Sequence, residues 1–194
     1  MCFKKLKALI FILAFQACLL RAQNAQMISI KLVDESGADV KGAKVAAILK
    51  SGAYQDVLRD AASGEYRCAP TEKCVKVFAG AVGYEASVAP YSGAAGVFAM
   101  TLKKSAIKNS TIIPGAGELP GIDGTINPIF DTLKRTYLYA TKIGLENRGR
   151  PAQQPLNFVI GKPIEAVSPT GRPFKIWVVD ITQRVSVVEY TLPK

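Results

Sequence analysis

No histidine occurs among the 194 residues. That absence removes imidazole acid–base work, Ser-His-Asp and Cys-His nucleophile activation, and most zinc and copper sites. Helical periodicity is missing too: no useful length repeats apolar residues at three- and four-residue spacing. No apolar run reaches the ~20 residues that span a bilayer. The longest, Ala8 to Leu20, is interrupted by Gln16. Gly115-Ala116-Gly117 lacks both the Gly-Lys-Ser/Thr ending of a phosphate loop and the dinucleotide spacing. The expectation is a chain with no catalytic residue, no metal and no cofactor.

What is present begins with a targeting pattern. Lys4, Lys5 and Lys7 precede the Ala8–Leu20 run, and polar and small residues from Arg21 to Gln26 follow it. Residues 1–22 therefore read as a secretory signal peptide, cleaved after Ala22 or Ala25. The alternatives are an uncleaved anchor and a lipidated Cys18, for which Phe15 and Gln16 fit poorly. The expected location is periplasmic or secreted, with membrane attachment only under those alternatives. Loss of Lys4, Lys5, Lys7 and Arg21 lowers the formal charge from +10 to +6. The remainder is uneven: residues 27–103 carry nine basic and eight acidic groups, residues 104–194 twelve and seven. Of four cysteines, Cys2 and Cys18 fall in the signal. Cys68 and Cys74 remain, and an even pair in an exported chain predicts a disulfide. A two-thiolate metal site lacks its other ligands.

The chain reads as all-β. Ile28, Ile30 and Leu32 alternate with Ser29 and Lys31, the period of a half-buried strand. Asp34 to Asp39 form a turn around Gly37, where Asp serves backbone hydrogen bonding; a weak calcium site is the alternative reading of Asp34, Glu35 and Asp39. Further strands fall at 45–49, 54–58, 65–69, 74–79, 82–89 and 97–103, recurring about every ten residues as in a sandwich. The spacing Val33-Asp34-x-x-Gly37-x-x-Val40-x-Gly42-Ala43-x-Val45, then Gly64-Glu65-Tyr66 and Gly83-Tyr84, resembles the carboxypeptidase regulatory-like family. The resemblance covers residues 27–103. It implies a transthyretin-like β-sandwich and, because that family is mostly accessory modules, no activity.

Residues 104–124 are rich in Pro and Gly and predict a linker. Asn109-Ser110-Thr111 there is only formally a glycosylation sequon. Residues 125–194 predict a small SH3-like or partly open β-barrel, with strands at 135–143, 156–160, 164–167, 174–181 and 185–192. Pro128 to Leu133 reads as a turn or one helical turn. The charge of this half comes from Arg135, Lys142, Arg148, Arg150, Lys162, Arg172, Lys175 and Arg184. With Tyr137, Tyr139 and Trp177, the candidate contact residues are Arg135, Arg148, Arg150, Arg172, Lys175 and Arg184, for anions or a partner surface. The alternative puts the aromatics in the barrel core and the cations in solvent. The expected function is an exported non-enzymatic binding or scaffold protein of the bacterial envelope, with the barrel as contact module. A polysaccharide-binding accessory protein is the alternative and an enzyme the third choice. The expected partner is an envelope protein or anionic polysaccharide, with nucleic acid disfavoured.

Overall fold

A computed structural model describes residues 27–93 and 96–193; the expected signal peptide, with Cys2 and Cys18, lies outside the described residues. Among the described residues every regular element is a strand, so the all-β class stands. The first eight are β1 (Ile28–Asp34), β2 (Lys44–Leu49), β3 (Tyr54–Asp56), β4 (Leu58–Arg59), β5 (Tyr66–Cys68), β6 (Cys74–Gly80), β7 (Ser87–Pro90) and β8 (Val97–Leu102). They form two four-stranded sheets, ordered β4-β5-β1-β8 and β3-β2-β6-β7. β1 and β8 run parallel, in register from Ser29↔Val97 to Asp34↔Leu102. Alternation along β1 turns Ile28, Ile30 and Leu32 inward, against Val45, Ala47, Leu49 and Val77 of the facing sheet. Residues 82–86, expected within a strand, precede β7 as a turn and loop.

The expected disulfide is corrected: Cys68 and Cys74 are both free and both buried. Cys68 ends β5 in one sheet and Cys74 begins β6 in the other, and both fill the core between the sheets. Cys74 Sγ donates to the Lys76 carbonyl at 3.3 Å. Burial pushes the Cys68 thiol up to about 11, with the Cys74 sulfur adding to the effect, and burial raises Cys74 as well.

The second half holds β9 (Lys108–Pro114), β10 (Gly117–Glu118), β11 (Thr125–Phe130), β12 (Thr136–Thr141), β13 (Gly144–Asn147), β14 (Arg150–Pro151), β15 (Leu156–Asn157), β16 (Pro163–Val167), β17 (Pro173–Ile181) and β18 (Val185–Thr191). Their sheets are β14-β13-β16-β17-β18-β9 and β10-β11-β12-β15. Neither closes into a barrel; the two sheets pack around one core that includes Leu138, Leu145, Ile176 and Tyr190. Pro128–Phe130 lies in a strand rather than a helical turn. Gly124, with φ +127°, opens β11 where a Cβ would stand 2.6 Å from the Thr141 carbonyl oxygen, so no larger residue fits.

The linker is the largest correction. Residues 108–114 form β9, and Asn109 to Ile113 are all buried. β9 pairs with β18 and also lies on the first half. A Cβ on Gly80 would meet the Thr111 amide nitrogen at 3.0 Å. Ala81 N–H donates to Ser110 Oγ at 3.0 Å. Ala46, Ile48 and Phe78 of the sandwich share an apolar cluster with Ile112, Val185 and Val187. Lys76 Nζ bonds Asp180 Oδ2 at 2.6 Å across the same junction.

Candidate functional site

The six-stranded sheet has two faces, and the period of two assigns them. Leu145, Ala166, Phe174, Ile176 and Tyr190 point into the second core. The intervening residues form rows on the outer face. Glu146 stands opposite Glu165, and Glu165 opposite Lys175. Lys175 N–H donates to Thr191 Oγ1 at 3.0 Å, and Thr191 stands opposite Lys108. One charged line thus crosses five strands.

Part of this outer face, at Val185 and Val187, packs on the sandwich. The rest is left open as one wall of a cleft of about 850 Å³. The other wall comes from Gly83 and the segment Ser105–Asn109. Gly83 N–H donates to Asn109 Oδ1 at 2.8 Å, and Ser105 N–H to the Gly83 carbonyl at 2.9 Å, which tie that wall together. Ile107, Leu192 and Pro193 make one end apolar. The cleft continues past the two glutamates. A hollow of about 380 Å³ includes Glu146, Glu165, Arg148 and Lys162 in its lining, and a further one of about 460 Å³ is lined by Asn147, Arg148 and Arg150. Volumes of this order suit a small-molecule ligand.

Lys108 is held in place. Its Nζ lies 2.7 Å from Glu189 Oε2 and 4.8 Å from the centre of the Trp177 ring. Glu189, 7% exposed, also accepts from Ala86 N–H at 2.9 Å. Because Ala86 belongs to the sandwich, this chain of contacts couples the two halves at the cleft.

Of the residues expected to make contacts, Lys175, Arg148 and Arg150 line this groove, and half-buried Trp177 sits under Lys108. The others do not line it. Arg135 bonds Asp131 Oδ2 at 2.8 Å and lies 5.5 Å from the Tyr137 ring centre, on the smaller sheet. The Arg135 amide and side chain hold the Asp131 carboxyl below the usual carboxylate range. Tyr139 is exposed on the same strand. Arg172 and Arg184 sit in turns closed by Ser168 and Thr182 side chains. Lys142 pairs with Asp123 at 3.0 Å. Neither alternative for the aromatics holds throughout: Tyr139 is open to solvent, while Tyr137 and Trp177 are half-buried against cations.

Glu146, Glu165, Lys108 and Glu189 were not singled out from the sequence. They lie on different strands, and only the pairing register brings them together. Among the described residues no group of three His, Cys, Asp or Glu side chains is placed to hold a metal.

No family model matches the chain. Over 136 residues it is 30% identical to the 3′ cyclic ADP-D-ribose synthase AaTIR of Aquimarina amphilecti, a match covering 70% of this chain and 41% of the synthase. The chain therefore spans less than half of that enzyme's length. The match corrects the expectation of a non-enzymatic scaffold or polysaccharide-binding protein, because the similar protein is an enzyme. The earlier inference leaned on the missing histidine. That absence excludes imidazole chemistry and leaves carboxylate chemistry open, and a pair of glutamates lines the groove.

Proposed function

We propose that this chain works in enzymatic ADP-ribosyl chemistry, as a unit of a synthase that forms a cyclic ADP-ribose nucleotide. The 136-residue match to AaTIR carries the proposal. The groove supports it by size and by its mixture of carboxylates, cations and an apolar end. The test incubates the purified chain with NAD⁺ as ADP-ribosyl donor, alone and with AaTIR. Mass spectrometry then measures 3′ cyclic ADP-D-ribose. Product from the chain, or a changed rate with AaTIR, is expected. No product and no effect on the rate would overturn the reading.

Two proposals stand beside it. Residues 27–103 form a carboxypeptidase regulatory-like sandwich, supported by the quoted motifs and by two packed four-stranded sheets. Export rests on residues 1–22 alone. Mass spectrometry of exported protein should find a start between Gln23 and Gln26, and an intact Met1 would sink that idea.

A further inference from the structure

Glu146 and Glu165 face one another directly across β13 and β16. Like charges in that position destabilise a sheet. Among the described residues neither carboxylate has an ion pair or a side-chain hydrogen bond, and the same holds for the charged groups of Arg148, Arg150, Lys162 and Lys175 along the groove. Elsewhere Lys76, Lys108, Arg135 and Lys142 hold carboxylates at 3.0 Å or less, whereas the exposed Lys31, Lys41 and Lys50 hold none, so it is the gathering of both signs in one groove, not the lack of partners, that sets it apart. The groove thus gathers six charged groups of both signs, and although Lys175 stands opposite Glu165, none of the six closes an ion pair with another.

The groups are also ordered along its length. Ile107, Leu192 and Pro193 form the apolar end, the glutamate pair follows where two hollows meet, and Arg148, Lys162 and Arg150 come last. Carboxylates accept hydrogen bonds from ribose hydroxyls. Guanidinium groups donate in pairs to phosphate oxygens, and an ammonium adds a point charge. An apolar wall suits the face of a base. A ligand with base, ribose and diphosphate in sequence matches this order.

We propose that the groove binds a nucleoside diphosphate, with its ribose hydroxyls on Glu146 and Glu165 and its diphosphate on Arg148, Arg150 and Lys162. The choice of a nucleotide over other hydroxylated anions rests on the enzymatic reading above. The order of charges along the groove does not.

Calorimetric titration of the full chain with ADP-ribose and with inorganic pyrophosphate tests this, with circular dichroism to verify folding of each variant. R148A/R150A should weaken both probes by about tenfold or more, since both lose the same phosphate contacts. E146Q/E165Q should weaken ADP-ribose by about tenfold and leave pyrophosphate as tight or tighter, because only the sugar uses the carboxylates. R172A/R184A, away from the groove, should change neither. The proposal is overturned if ADP-ribose fails to bind at millimolar concentration, if neither groove variant changes its affinity, or if dextran sulfate binds and ADP-ribose does not displace it. ADP-ribose binding of the expected pattern without cyclic product would leave the groove standing and remove the enzymatic reading. Cyclic product with unchanged ADP-ribose affinity in both groove variants would do the opposite.

Discussion

Asp34 has one carboxylate oxygen accepting from Ser36 N–H at 2.8 Å, Ser36 Oγ at 2.5 Å and Ala38 N–H at 3.0 Å, while the other meets Lys104 Nζ at 2.7 Å. These partners, Lys104 first, hold its ionisation well below the ordinary 3.8. A depressed carboxyl stabilises the fold when ionised in both states, above about pH 4, and that contribution is lost as pH falls towards the folded value. Asp34→Asn should therefore lower the melting temperature at pH 7 and flatten its fall between pH 5 and pH 2, as thermal unfolding across that range would show. An equal fall in both proteins would discard the assignment. The thiols make a second case. Native protein should react slowly with a thiol reagent at pH 8, and denatured protein should release two free thiols from Cys68 and Cys74. The role of Asp34 was legible because an Asx turn is local: Asp, Ser and Gly within four residues announce it. The state of the cysteines was not, because whether two sulfurs bond depends on which sheet each strand joins. The Glu146–Glu165 pair was invisible for the same reason.

β9 shows why one element escaped the sequence. Its apolar core, Ile112-Ile113, is short, and the flanking Pro114, Gly115 and Gly117 carry the composition of a connector. The strand exists because β18 supplies a full register and the sandwich covers its other face. Gly80→Ala should press a methyl group onto the Thr111 backbone and cost ~1–3 kcal/mol, read from urea unfolding. Phe78→Ala, emptying a fully buried ring site in the same junction, should cost ~3–5 kcal/mol. A loss under ~1 kcal/mol would mean the junction is loosely packed there. On β13 the sign reverses: Glu146→Gln removes the like-charge contact with Glu165, leaves Glu165 opposite Lys175, and should raise stability by ~0.5 kcal/mol at low salt. The strands at β1, β17 and β18 were readable in advance, since alternation is strong where one face is core and the other is solvent or a partner.

At the scale of the molecule, the linker expected at residues 104–124 gives way to a junction built from apolar side chains of both halves. The Lys76–Asp180 pair is about a quarter to a third exposed and should add only ~0–1 kcal/mol. The chain should therefore melt in a single transition, and trypsin should spare Lys108, whose backbone is paired in β9, while cutting exposed loops such as Arg148-Gly149 first. Two resolved transitions, or early cleavage at Lys108, would restore the independent halves. The pairing of β9 with β18 also has a consequence for biosynthesis. Lys108 and its partner Glu189 are 81 residues apart. At ~5–20 residues per second, a ribosome takes ~4–16 s to make the strand that completes β9 after β9 itself is made. Throughout that interval β9 presents an unpaired strand edge with Ile112 and Ile113 uncovered, the feature that recruits chaperones or seeds aggregates. Expression yield in this protein should thus depend on translation speed and temperature more than its folded stability would suggest.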